Sequence, residues 1–217
     1  MKSPVIMVGI AAAVALTVAV MRFDVIGWGG MAWLAASWGS FAIRAPHLAV
    51  ASATPSTANK RDRQEQLLLF GMFASMLVLP LIHLTIGLFA FADYALPHGL
   101  IWVGIVLQPL TLWLFWRSHA DLGRNWSPSL QVREGHSLVD QGIYARIRHP
   151  MYSSIWLSVL TQPLLVQNWI AGVLVIPAFA AMCLLRIPRE EAMMHAEFGD
   201  AYTNYSRRSG RFLPKLG

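Results

Sequence analysis

Two short stretches hold the residue types that could do chemistry. GIYARIRHPMYSS, residues 142–154, gathers Arg146, Arg148 and His149 against Pro150 and Tyr152, and RIPREE, residues 186–191, sets Arg186 and Arg189 beside Glu190 and Glu191. Pro150 disfavours helical geometry at His149 and is tolerated as an early residue of a helix that follows, with Ser153 and Ser154 in its first turn. A helix beginning there leaves amide N–H groups unpaired at its N-terminus, which suits an anionic or electron-rich ligand group. Arg186 and Glu190 are four residues apart, so on a helix they share a face.

The elements that must position these residues are membrane helices. Of the 217 residues, 56% are hydrophobic and only 13% charged, with a mean hydropathy of +0.49, against about 25% charged in soluble domains. Apolar runs at 5–21, 25–43, 67–92 and 100–116 are each near the roughly 20 residues of helix that span a hydrocarbon core. A fifth run, 155–185, is too long for one ordinary crossing, and its middle, TQPLLVQNW, carries Pro163, Gln167 and Asn168, which favour a turn. It reads as a helical hairpin.

Charge placement supports that reading. Lys2 precedes the first run; Arg44, Lys60, Arg61 and Arg63 follow the second; Arg117, Arg124, Arg133, Arg146 and Arg148 follow the fourth; Arg186, Arg189, Arg207, Arg208, Arg211 and Lys215 follow the hairpin. With four spans and a hairpin these sixteen of 17 positive residues fall on one side and Arg22 alone on the other, so the positive-inside rule puts both termini and both long polar segments in the cytoplasm. A single fifth span would strand six positive charges outside. The expected fold is therefore an all-α integral membrane protein with four transmembrane helices, a C-terminal helical hairpin and a cytoplasmic cofactor-binding region, in the cell (inner) membrane. Its expected division is 1–116, transmembrane helices with a cytoplasmic loop at 44–66, and 117–217, the catalytic region. That region comprises a cofactor-binding segment 117–154, the hairpin 155–185 and a cytoplasmic tail 186–217.

The sequence pI of about 10.0 follows from topology and attraction to anionic headgroups, and no dense basic run points to nucleic acid. The N-terminus, one Lys before an Ala/Val-rich run, has signal-peptide character and is read as a retained first span. The one cysteine, Cys183, excludes an internal disulfide and a cysteine-based metal cluster.

Both chemistry-bearing stretches flank the hairpin, so folding it brings them together at the membrane surface. Each has a bland reading. The first serves as an interfacial anchor of Arg, Tyr and Trp; the second as an interfacial salt bridge worth a few tenths of a kcal/mol. The functional reading rests on the expense of placing ionisable groups at membrane depth.

LGRNWS, HSLVDQGIYARIRHPMY, RIPREE and FGDAYTNYSRRSGRFLP together resemble, in order and spacing, the signature of the isoprenylcysteine carboxyl methyltransferase family, which is related to phospholipid N-methyltransferases. The resemblance covers roughly residues 117–217; the first half matches only as generic membrane helices. It implies a membrane enzyme using S-adenosyl-L-methionine without a Rossmann domain, and the sequence has no Gly-rich strand-to-helix motif. By position it implies that the cofactor is held by Gln131, His136, Ser137, Leu138 and Val139, then Tyr144, then His149, Pro150, Met151 and Tyr152, and Glu190. Arg186 takes the place of the substrate-facing arginine. Asp140 departs from the family pattern, which usually has Thr there.

The implied reaction is methyl transfer to a lipophilic small-molecule or lipid acceptor, whose reacting group is a carboxylate, an amine or a thiol. Methyl transfer needs positioning more than acid–base chemistry, and an arginine can grip a carboxylate acceptor at two points. Two other readings stay open at this level: an NADPH-dependent membrane reductase of sterol type, whose cofactor would want a denser basic pocket, and a non-catalytic membrane protein.

Overall fold

The structure, a computed structural model, describes residue 17 and residues 20–53, 63–126 and 137–215. All but three residues of the first expected span lie outside them, as do Gln131 and His136. The described chain is helical: α1, Phe23–Ala53; α2, Arg63–Ile86; α3, His98–Leu122; α4, Pro150–Leu165; and α5, Trp169–Arg208. Short 3-10 turns form at Gly123–Asn125 and Gly142–Ala145. Helix α4 packs most extensively on α3, α3 also on α1, and α2 on α5.

Helices α2, α3 and α5 are each long and apolar enough to cross a membrane. Their outer faces expose Phe70, Trp102, Val106, Trp113 and Leu184, the surface that lipid tolerates and water does not. This is an integral membrane protein. The run at 25–43 lies in α1, a 31-residue helix broken by a left-handed Gly27 (φ 56°) and carrying Pro46. Helix α4 has 16 residues, about 24 Å at 1.5 Å per residue, which is short for a full crossing.

The run at 155–185 reverses at Val166–Asn168, where its turn-forming residues lie. Asn168 is fully buried and fixes the reversal. Its Oδ1 accepts from the Ile170 and Ala171 N–H groups at 2.9 and 2.7 Å, capping α5, while Nδ2 donates to Phe89 O and to Asp93 Oδ1. Gly172 completes the reversal: a Cβ there would sit 2.0 Å from the Val166 carbonyl oxygen. Beyond the hairpin α5 continues into residues 186–208, passes Pro188 and bends at Gly199 (φ 49°) before ending at Arg208. Pro188 withholds its N–H from the Leu184 carbonyl, yet the helix runs on past it.

Gln162 lies at the centre of the bundle and is 2% exposed. Its Nε2 donates to Ser75 O and Ala171 O, both at 2.9 Å, and its Oε1 accepts from Trp33 Nε1 at 3.3 Å, so one amide joins α1, α2, α4 and α5. Helix α2 creates the need. A π-turn at Ala74–Val78 sends the Leu79 N–H to Ala74 O, and the next donor in that register would be residue 80, a proline with no N–H. The Ser75 carbonyl is left without a helical donor, and Gln162 supplies one. Core clusters lie on either side, Trp33, Leu34, Leu84, Leu165 and Val166 in one and Met72, Val159, Val175, Phe179 and Ile187 in the other.

Replacing Gln162 with Met, which keeps its length, should therefore lower stability in detergent by about 1–3 kcal/mol, the cost of leaving buried carbonyls unpaired. Thermal unfolding of the two proteins side by side measures it; equal midpoints would mean that the Ser75 carbonyl is satisfied some other way.

Candidate active site

The stretch before α4 is held from two directions. His149 has left helical geometry (φ −122°, ψ 58°) and Pro150 opens α4, as the steric rule for residues preceding proline requires. The chain just upstream lies along the C-terminal segment: Gly210 N donates to Arg146 O (2.9 Å), Arg148 N to Gly210 O (2.8 Å) and His149 N to Arg211 O (3.0 Å). Ser153 Oγ adds a bond to Phe212 O at 2.6 Å. The side chains of the same stretch converge on Glu191, which lies 3.4 Å from Arg148 Nε and 3.2 Å from both His149 Nε2 and Arg211 Nε, and also accepts from Arg211 NH2.

The segment at 142–145 is tied to α3 and α5. Ile143 N donates to Asp121 Oδ2 at 2.8 Å, and Arg117 pairs with the same carboxylate. Tyr205 donates to Tyr144 O at 2.8 Å and Tyr144 to Ser118 O at 3.1 Å. Burial pushes the Tyr144 hydroxyl above its ordinary range, so it stays protonated and donating. Asp140 forms an ion pair with Arg208, so this residue ties the segment before Gly142 to the end of α5.

On α5 the residues four apart do meet. Arg186 Nε donates to Glu190 Oε1 at 2.8 Å, Tyr152 donates to the same oxygen at 2.8 Å, and His149 Nδ1 lies 3.7 Å from Glu190 Oε2. Glu65 of α2 comes within 3.7 Å of Arg186 NH1. Arg186 is only 8% exposed, and two carboxylates compensate its charge. The salt bridge of the bland reading is thus present, but it forms part of a cavity wall.

That cavity, of about 660 Å³, is lined at one end by Ser137, Leu138, Val139, Tyr144, His149, Pro150, Met151, Tyr152, Arg186 and Glu190. Every described residue that the family resemblance implies for the site lines it, whereas Arg146, Arg189 and Glu191 do not. From this polar end it runs between the helices past Leu69, Met72, Phe73, Met76 and Leu77 to Trp33, Gln108, Thr161 and Gln162. Arg44, Asn125, Trp126, Met193, Met194, Tyr202 and Tyr205 also line it and were not assigned from sequence. Asn125 and Trp126 stand inside the quoted LGRNWS motif, which was their signal; Asn125 Nδ2 donates to Ser137 Oγ at 3.2 Å.

Residues 100–196 match the profile of the Isoprenylcysteine carboxyl methyltransferase (ICMT) family. This segment is of the ICMT family. Protein-S-isoprenylcysteine O-methyltransferase B of Arabidopsis thaliana is 39% identical over 98 residues, 42% of this chain and 48% of that protein. Cobalt-zinc-cadmium resistance protein CzcN of Cupriavidus metallidurans is 30% identical over 118 residues, 53% of this chain and 54% of that protein. The chain spans about half or less of the length of the curated relatives it matches. The fold is similar to that of the eukaryotic intramembrane Ras methyltransferase ICMT, with a TM-score of 0.60 and 18% identity, covering 94% of this chain and 73% of that one. The ICMT-family segment thus contributes α3, α4 and most of α5, while Arg44 and Glu65 reach the cavity from outside it.

Glu191 holds the polar end closed, so Glu191→Gln should loosen the segment after Arg208. Trypsin should then cut at Arg207, Arg208 and Arg211 several-fold faster, and stability should fall by about 1–3 kcal/mol for the lost charged hydrogen bonds. Cleavage at the wild-type rate would show that backbone pairing alone suffices.

Proposed function

We propose that this chain is a membrane methyltransferase that uses S-adenosyl-L-methionine as donor and modifies a lipophilic acceptor. The observation that carries the reading is one continuous cavity, lined by a carboxylate, aromatic rings and the first turn of a helix, and continuing between the helices past the apolar Leu69, Met72, Phe73, Met76 and Leu77. The donor has a sulfonium, an ammonium and a carboxylate, so its pocket needs negative charge, apolar walls and free backbone donors. Glu190, the rings of Tyr144 and Tyr152 and the α4 N-terminus supply these. When bound, the donor offers an electrophilic methyl group, whose bond to sulfur breaks as the acceptor atom forms its own.

In this reading Ser137, Leu138, Val139, Tyr144 and His149 to Tyr152 wall the donor pocket, and Gln131 and His136 join them by family position. Glu190 holds the donor's positive end. Arg186, held in orientation by Glu190 and Glu65, faces the acceptor. O-methylation of an S-isoprenylcysteine, named in the plant relative's description, is one version; a carboxylate acceptor needs no general base, and an amine or thiol fits the same cavity. The four-span arrangement with both termini and the active site cytoplasmic, in the cell membrane, is supported by the placement of sixteen of the 17 positive residues. A reporter fused after Gly217 should then be active only as a cytoplasmic fusion, and activity confined to the opposite side would reverse the orientation.

Calorimetry with S-adenosylhomocysteine in detergent tests the donor site. Glu190→Gln should weaken binding by about 1.5–3 kcal/mol, the value of a charged hydrogen bond, and unchanged affinity would return Glu190 to a purely structural salt bridge. Stabilisation of the wild type by NADPH in place of S-adenosylhomocysteine would favour a reductase.

Arg186→Lys should fold and bind S-adenosylhomocysteine normally. With a carboxylate acceptor its turnover should drop on the order of a hundredfold, because lysine lacks the planar two-point grip that aligns the acceptor. With an amine or thiol the loss should be mild. Loss of cofactor affinity with no separate loss of turnover would place Arg186 in the donor site.

A further inference from the structure

Arg44 lies on the cavity wall contributed by α1, outside the segment that matches the ICMT family. Its guanidinium carbon stands 4.9 Å from the Phe115 ring centre and 5.9 Å from that of Trp126. Its Nε is buried without a hydrogen-bond partner, and among the described residues no carboxylate pairs with it. The side chains around it are aromatic rings and the imidazoles of His47 and His119, and none of these carries negative charge. Across the cavity Arg186 repels it, but Arg186 is compensated by Glu190 and Glu65 and Arg44 is not.

Cation–π contacts favour a guanidinium without neutralising it. A desolvated cation with no counter-charge is costly, and at a functional cavity such a cost persists where a ligand removes it. We propose that Arg44 is an anion-holding residue of this cavity, taking a carboxylate or phosphate oxygen pair of the bound molecule. The planar fork of the guanidinium suits two-point binding of either group. Two sources have this chemistry: the α-carboxylate of the methyl donor, for which the inference rests on the methyltransferase reading, and an anionic group on the lipophilic acceptor, for which it does not. The Asn125–Ser137 hydrogen bond joins the two segments beside Trp126, so the Arg44 side of the cavity is the one that meets the expected donor segment.

The test uses the full chain in detergent as wild type, Arg44→Gln and Arg44→Met, with two probe pairs read by thermal shift and calorimetry. One pair is S-adenosylhomocysteine and its decarboxylated analogue; the other is dodecyl phosphate and dodecanol. In the wild type the anionic member of at least one pair should bind more tightly than its neutral counterpart. In both variants that preference should fall by about tenfold to a hundredfold, with the neutral member's affinity unchanged. The pair that responds identifies the source.

Ligand-free Arg44→Met should also unfold at or above the wild-type temperature, because it removes an unpaired buried charge. Variants that fail to fold, or that melt well below the wild type, would make Arg44 a structural residue and overturn the proposal. So would an anion preference that survives both substitutions, or a wild type with no preference in either pair. Absence of any S-adenosylhomocysteine binding together with an Arg44-dependent preference for dodecyl phosphate would overturn the methyltransferase donor instead, and leave the anion site standing.

Discussion

The polar end of this protein depends on one carboxylate. Glu191 gathers Arg148, His149 and Arg211, two guanidinium groups and an imidazole supplied by the loop before α4 and by the C-terminal segment. At a membrane surface with reduced water access, these charges are tolerable because they meet. With them together, the backbone of 146–149 can lie along that of 210–211, and only then is the α4 N-terminus fixed in space. The cavity-lining residues from His149 to Tyr152 take their positions from that closure, so the C-terminal segment belongs to the site as much as the residues that line it.

The sequence made some features legible because they are local. Pro150 and the loss of helix at His149 follow from steric contact between neighbours. Pro163, Gln167 and Asn168 marked the reversal, although the side-chain cap and the bond from Asn168 to Asp93 required the fold. Arg186 and Glu190 were predictable as a pair from helical spacing. The resemblance to the ICMT family singles out Ser137, Leu138, Val139, Tyr144 and Met151, which line the cavity.

What stayed illegible was long-range or lacked a pattern. Glu65 reaches Arg186 from another helix, and nothing in its own neighbourhood announces this. Arg44 reads in sequence as one more positive charge on the cytoplasmic side. Leu69, Met72 and Phe73, which border the cavity, have the same composition as residues that face lipid, so an apolar groove leaves no motif. The full length of α5 has no local marker either, because an amphipathic helix can leave the membrane without stopping.

Pro80 and Gln162 show how a fault in one helix becomes a tie between several. The proline withholds a donor from the Ser75 carbonyl, and a side chain from a distant part of the chain replaces it. Restoring an N–H at position 80 alone would let α2 close its own ladder and make the glutamine's Nε2 compete for the Ser75 carbonyl; removing the glutamine alone would strand that carbonyl. The two positions are therefore coupled in energy: the cost of changing one depends on what stands at the other, and a pair of substitutions can be acceptable where each single one is not.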